Sequence, residues 1–219
     1  MEDENILKLI TMYDSVAEKY DSFAAGGQYK CPIWLKEKLL DLDFPKPKIL
    51  DLGCANGYLG KLAKEIFKTS FIWGVDVSPK MIEELKKGGL YDNSMIWDLN
   101  NGVPFTEAEV FDIVFAFGVF EFIKNPIIAL KGISKTMKIQ GRLFASFECY
   151  DPEKNSEKTV LNTKVGIVRY LRSIEDVRVL LKEAMLEIIS YDKIKAYKSP
   201  STGAEIDYFV CEIKRDRNI

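Results

Sequence analysis

Short apolar runs rich in β-branched and aromatic residues alternate along the chain with stretches whose apolar positions recur at helical spacing. The runs predict strands at Lys48–Leu52, Ser70–Val75, Ser94–Trp97, Phe111–Phe117 and Arg142–Phe147. The stretches between them predict helices at Tyr58–Phe67, Pro79–Lys87 and Pro126–Met137. Ser78-Pro79 offers an N-cap followed by proline at the first helical position, and Gly88-Gly89 stops the same helix. Strands and helices that alternate in this way build βαβ units around a parallel sheet. Asp151 to Lys164 is polar, with few apolar anchors. Ser173-Ile-Glu-Asp176 then reads as a capping box that opens a helix through about Met185. Two last strands, Ile188–Tyr197 and Asp207–Lys214, flank the turn segment Lys198-Ser-Pro-Ser-Thr-Gly203 and should pair antiparallel. The first 45 residues lie outside the strand pattern and are expected to form helices packed beside the functional site.

Composition narrows the class. A chain of 219 residues fits one domain, 1–219, with no second-domain boundary and no repeat. Within it, 1–45 would be a helical cover, 48–147 the core, 151–170 a second cover segment, and 173–214 a helix followed by a hairpin. The net charge of −2 offers no broad grip on nucleic acid. There is no histidine, and Cys31, Cys54, Cys149 and Cys211 form no CxxC pair, so no metal site is expected. Such cysteines read as reduced thiols that act as small hydrophobes. The longest apolar stretch, Val110 to Ile123, contains Asp112 and Glu121 and is too short to span a bilayer. The acidic start Met1-Glu-Asp-Glu is the opposite of a secretory signal, and a cytoplasmic location away from membranes is expected.

Candidate chemistry concentrates after the first strand, in Ile49-Leu-Asp-Leu-Gly-Cys-Ala-Asn-Gly57. Open parallel sheets bind ligands beyond the carboxyl ends of their strands. Gly53 and Gly57 permit positive φ and close approach of a ligand to the backbone. The helix that follows should offer free N–H groups near Tyr58 to Gly60. Asp51 stands where a carboxylate accepts hydrogen bonds from an ammonium group, directly or through water. Asp76 closes the second strand, where an acidic residue takes both ribose hydroxyls of an adenosine cofactor. Asp98 closes the third, near the place of an adenine amino group, although a turn or helix-cap aspartate is the competing reading.

Four segments carry a family resemblance: Ile49–Gly57, Gly74-Val-Asp-Val-Ser-Pro-Lys-Met81, Trp97-Asp-Leu-Asn, and Phe111-Asp-Ile-Val-Phe-Ala-Phe-Gly-Val-Phe-Glu121. In order, over about residues 48 to 147, they resemble the motif series of class I S-adenosylmethionine-dependent methyltransferases. Tyr13-Asp-Ser-Val-Ala-Glu-Lys-Tyr20-Asp21 resembles the lead-in helix of small-molecule members. Tyr29-x-x-Pro32 and Gly89-Leu-Tyr-Asp92 resemble the methyltransferase-like group that includes the Williams–Beuren-region protein. The resemblance implies a Rossmann-like α/β fold: a seven-stranded, mostly parallel sheet with helices on both faces and an antiparallel C-terminal hairpin. It implies that Asp51 and Gly53 contact the methionine end of S-adenosyl-L-methionine, that Ala55 and Gly57 also belong to the cofactor site, and that Asp76 holds the ribose. Val77 and Met81 would flank the adenine, and Asp98 with Leu99 would read its edge. Phe117 would lie beside the sulfonium and Tyr20 would close the site. Three positions depart from the pattern. Ala55 replaces a glycine, Gln140-Gly141 replaces a Gly-Gly pair, and Glu121-Phe122 stands where many relatives have Glu-His.

The missing histidine shapes the expected mechanism. In-line methyl transfer depends first on alignment, and a general base matters only when the nucleophile carries a proton. Glu121 and Tyr20 are the catalytic candidates, with a solvated or capping carboxylate as the competing reading of Glu121. Phe111, Phe115 and Phe117 should share one strand face as core, and Arg169 reads either as a pocket residue or, more simply, as a surface arginine. A small-molecule acceptor without nucleic acid is the expectation, with S-adenosyl-L-homocysteine as product. Methylation of RNA or protein, a nicotinamide-dependent oxidoreductase that recruits Gly60, and a non-catalytic cofactor-binding protein are the alternatives. The loop Ala116-Phe-Gly-Val-Phe-Glu121 is not of the Asn-Pro-Pro-Tyr type used on exocyclic base amines.

Overall fold

Burial follows strand propensity in β1 (Lys48–Leu52), β2 (Phe71–Asp76) and β4 (Phe111–Ala116), which are shielded over most of their length. Strands covered on both faces read as such runs. With β3 (Asn93–Ile96), β5 (Met137–Glu148), β8 (Leu186–Lys198) and β9 (Glu205–Arg215), they form a seven-stranded sheet of order β3-β2-β1-β4-β5-β9-β8. β1 to β5 pair in parallel, and β9 runs antiparallel to both β5 and β8. The structure, a computed structural model, describes residues 2–162, 164–199 and 203–216. The turn expected at Lys198–Gly203 therefore falls in part, at 200–202, outside the described residues.

The period-two alternation of the strands sorts their side chains onto two faces. On one, Trp34, Leu35 and Leu39 of α3 (Cys31–Leu40) and Leu59 and Ala63 of α4 (Tyr58–Ile66) pack over Ile49, Ile72, Ile113 and Phe144. On the other, Leu130 and Ile133 of α6 (Ile127–Thr136) and Val177 and Leu181 of α7 (Ile174–Glu183) pack over Leu50, Val75, Val114 and Leu143. Phe115 and Phe117 share the first face, but Phe111 lies in the second cluster. The expectation of one shared face fails at Phe111, which opens β4 and packs its ring against Phe105 at 5.1 Å. The four cysteines are free and buried.

Local capping behaves as the residues dictate. Ser78 accepts a hydrogen bond from the Met81 N–H at the start of α5 (Pro79–Gly88), and Gly89 ends it with φ of 63°. Ser173 and Asp176 form both halves of the capping box that opens α7. The N-terminal residues form α1 (Glu2–Val16) and α2 (Tyr20–Gly26). The polar stretch after β5 is more ordered than its composition suggests. It contains an antiparallel pair, β6 (Thr159–Asn162) and β7 (Ile167–Tyr170), separate from the main sheet. The Asn5 side chain fastens α1 to that pair. It donates to the Val168 carbonyl at 3.2 Å and accepts from the Val168 N–H at 2.7 Å. Among the described residues, no helix is long and apolar enough to cross a membrane.

Candidate functional site

The strand order reverses between β1 and β4, and a cavity of about 360 Å³ opens at their carboxyl ends. Ligand pockets of small molecules span roughly 300–1,000 Å³, and a switch point is where an open α/β sheet places them. The loop after β1 forms one wall. Gly53 has φ of 70°, and a Cβ there would stand 2.3 Å from Val119 Cγ2, so any side chain meets both strain and a collision. Ala55 also adopts positive φ, 46°, a conformation that costs an L-residue about 1–2 kcal/mol. Its N–H donates to Asp76 Oδ2 at 2.8 Å, which holds the strained turn against the end of β2.

Asp76 is a site carboxylate tied down by backbone. Oδ1 accepts from the Ser78 N–H at 2.9 Å while Oδ2 takes that of Ala55. Burial raises its pKa, and these backbone bonds pull in the opposite direction. Val77, Leu99 and Phe117 line the cavity beside it. Asp98 lines it as well, and its Oδ1 also accepts from the Asn100 N–H at 2.9 Å and from Asn100 Nδ2 at 2.8 Å. Asp98 is therefore a cap aspartate that also lines the cavity.

A second layer stands behind this wall. Met81 is fully buried and packs on Ala17 and Ala55. Asp51 is 1% exposed; its Oδ2 accepts from the Tyr91 hydroxyl, and its Oδ1 has no hydrogen-bond partner. Burial pushes the Asp51 carboxyl up to about 7, the Tyr91 hydrogen bond lowers it, and the Asp76 charge raises it. Tyr91 also accepts from the Gly60 N–H at 2.9 Å, with its ring against the α-carbons of Gly57, Gly60 and Gly74. The expectation of a free N–H at Gly60 is thus corrected: a phenol already occupies that end of α4. A dinucleotide pyrophosphate needs such helix-terminal N–H groups, so the geometry disfavours the nicotinamide reading that recruited Gly60.

The other end of the cavity lies under α1, α2 and the β6–β7 pair. Glu121 sits in a short turn, Phe120–Phe122, that follows β4, and it is 1% exposed. Its Oε1 accepts from the Tyr208 hydroxyl, and its Oε2 is buried without a partner. It is therefore neither solvated nor a cap. Burial raises its pKa, and the Tyr208 hydrogen bond and the positive charges of Arg169 and Arg172 work against that rise. Around it stand Tyr13, Tyr20, Tyr29, Tyr197 and Tyr208. Burial raises the pKa of each phenol and the nearby Glu121 charge raises it further, so all five stay protonated at neutral pH. Tyr20 can donate a hydrogen bond there but is unsuited to take a proton.

Arg169 also belongs to this end. Its side chain is 17% exposed, and its NH1 donates to both Glu148 oxygens at 2.7 and 2.8 Å. The surface-arginine reading is corrected, because Glu148 on β5 draws the guanidinium inward. Phe120 stacks on Phe147 in the core at 4.9 Å, whereas Phe122 faces the cavity. Of the residues assembled here, Tyr197, Tyr208 and Glu148 were not singled out in the sequence, and Tyr13 and Tyr29 entered only as parts of motifs, with no place in the site. Their positions are far apart in the chain, and each fits a buried core pattern equally well.

Residues 50–143 match the family profile described as a methyltransferase domain. The malonyl-[acyl-carrier protein] O-methyltransferase of Anoxybacillus flavithermus is 28% identical over 130 residues, 59% of this chain and 48% of that protein. The 18S rRNA (guanine(1575)-N(7))-methyltransferase of Saccharomyces cerevisiae is 29% identical over 114 residues, 51% of this chain and 40% of that protein. The chain thus spans about half, or less, of the length of these curated relatives. The solved structure of Burkholderia thailandensis 1,6-didemethyltoxoflavin-N1-methyltransferase, with 1,6-didemethyltoxoflavin and S-adenosylhomocysteine bound, shares the fold. It aligns with a TM-score of 0.70 at 13% identity, over 99% of this chain and 91% of that one.

Proposed function

We propose that the chain is a class I S-adenosylmethionine-dependent methyltransferase and that it transfers a methyl group from S-adenosyl-L-methionine to a small-molecule acceptor held beside Glu121. The observation that carries this reading is the single cavity that runs from Asp76 to Glu121 beneath α1 and the β6–β7 pair. Its buried far end suits a compact acceptor better than a polymer. The names of the relatives divide between a carrier-bound malonyl group and ribosomal RNA, so the cavity weighs more than the names.

The residues present fit the cofactor. Asp51 Oδ1 is a buried acceptor without a partner, which an ammonium group would satisfy directly or through water. Gly53, Ala55 and Gly57 shape the loop that would run along the methionine portion. Asp76 has lone pairs beyond those its backbone donors use and would take the ribose hydroxyls. Val77 and Leu99 would flank the adenine with Asp98 at its edge, Met81 would support that wall from behind, and Phe117 would face the sulfonium. When bound, S-adenosyl-L-methionine supplies a methyl group already activated by its positive sulfur. The chain's own contribution is alignment, worth on the order of 7–11 kcal/mol in well-oriented systems. Glu121 then removes the acceptor's proton, and Tyr20 closes the site as a hydrogen-bond donor. The single-domain boundaries 1–219 belong to the same proposal.

Titration with S-adenosylhomocysteine by calorimetry should give micromolar binding, and absence of binding would remove the reading. Labelled methyl groups should then appear in a small-metabolite fraction. Label recovered in RNA or protein would transfer the function to a macromolecular acceptor.

A further inference from the structure

Among the described side chains that line the cavity, two carry a buried polar atom without a hydrogen-bond partner. One is Glu121 Oε2, an acceptor, and the other is Arg169 Nε, a donor. Buried polar groups are costly when left unpaired, so each points to a partner that arrives with the ligand. The formal charges around them are already matched. Arg169 is paired with Glu148. Arg172, the other guanidinium near Glu121, is 5% exposed and donates to the carbonyl oxygens of Phe120 at 2.8 Å and Ile123 at 2.7 Å. Two carboxylates thus face two guanidinium groups. A further charged group buried among them would lack a counter-ion, a penalty of several kcal/mol.

The cavity walls add a second constraint. Leu9 of α1 and Ile167 of β7 are buried, whereas Leu161 and Val165, which line the same cavity, are 55% and 38% exposed. An apolar track therefore leads from the buried end out between α1 and the β6–β7 pair.

We propose that the acceptor is an uncharged amphiphile: a hydroxyl head that donates to Glu121 and accepts from Arg169, with an apolar body along the track beside Leu9, Leu161 and Val165. The inference rests on the methyltransferase reading and deepens it. In the transfer step the hydroxyl proton passes to Glu121 Oε2. The oxygen then forms the bond to the methyl carbon, and the electron pair of the broken S–C bond stays on sulfur. The positive charge on sulfur and the negative charge on Glu121 disappear together.

Four probes with one hexyl chain test the head group: 4-hexylphenol, 4-hexylanisole, 4-hexylbenzoate and 4-hexylbenzylamine. Each is titrated by calorimetry into the protein saturated with S-adenosylhomocysteine. The phenol should bind at least about tenfold more tightly than the other three, and at least about tenfold more tightly than 4-methylphenol, since each buried methylene is worth about 0.8 kcal/mol. Glu121→Leu should bring the phenol and the anisole to within about threefold of each other. Equal or tighter binding of the benzoate or the ammonium probe would overturn the proposal, as would four equal affinities. Should Glu121→Leu fail to fold, the wild-type series decides alone. Saturation with S-adenosylhomocysteine is itself the control: if it cannot be reached, the methyltransferase reading fails first and carries this inference with it.

Discussion

The two ends of the cavity are built by different means. At the Asp76 end the working groups are backbone turns and carboxylates at strand ends, tied by bonds to backbone N–H groups: Ala55 to Asp76 across two strand ends, and Ser78 to Asp76 and Asn100 to Asp98 within one turn. At the Glu121 end they are side chains drawn from Tyr13 to Tyr208, and two of their polar atoms remain unpaired. A ligand common to a family is met by local backbone geometry, because that geometry survives changes of side chain. A ligand particular to one member is met by side chains from distant elements, where one substitution changes chemistry and leaves the fold intact.

Three experiments strain this contrast, from the largest expected effect to the smallest. Glu121→Gln keeps shape and hydrogen bonding but removes the proposed base, so turnover should fall by about 10²–10⁴. Its affinity for S-adenosylhomocysteine should stay within about twofold by calorimetry; a matching loss of affinity would show that the two ends are not separate. In the active protein, turnover should rise with pH, because Glu121 must be ionised to accept a proton and burial places its pKa above the ordinary carboxylate range.

Asp76→Ala should do the reverse. It should weaken cofactor binding by about 1.5–3 kcal/mol, as expected when hydrogen bonds to a charged group are lost. Part of that loss would come from releasing the Ala55 N–H, so circular dichroism melts are the control for loop collapse. A wild-type affinity would refute the ribose role.

The third concerns Asp51, pushed to about 7. Only its ionised form suits an ammonium partner, so S-adenosylhomocysteine binding should tighten as pH rises, by about tenfold per unit below the midpoint. In the ligand-free protein the sign is opposite. A carboxyl whose folded pKa lies above its unfolded value, 3.8, favours the fold below that value, and the contribution is lost as pH climbs through about 7. Glu148, also pushed to about 7, titrates in the same window. Tyr91→Phe separates the two, because it removes the phenol that lowers Asp51 and should move the binding midpoint and Asp51's share of the stability profile upward, leaving the share of Glu148 in place. An unmoved midpoint would exclude Asp51 as its origin.

The same contrast explains what was legible in the residues. Strand-end acids, glycines and caps act through neighbours in sequence, so β1, α5, the capping box at Ser173 and the lining role of Asp76 could be read directly. Tyr91 could not, since its role comes from three glycines and Asp51 brought together in space. Arg169 read as a surface residue because Glu148 lies on another strand. Phe111 parted from Phe115 because it opens β4 and meets Phe105, a contact that leaves no mark on a period-two pattern. The β6–β7 pair is too short and too polar to announce itself, and it becomes ordered through Asn5, at the opposite end of the chain.

That Asn5 contact also sets how firmly the roof of the cavity is joined. Two hydrogen bonds join the roof of the cavity at this point, each worth about 1 kcal/mol net, whereas the sheet below is locked by the packing of two cores. Asn5→Ala removes both bonds at once and should speed amide exchange at Val168, while exchange in β1 and β4 stays unchanged.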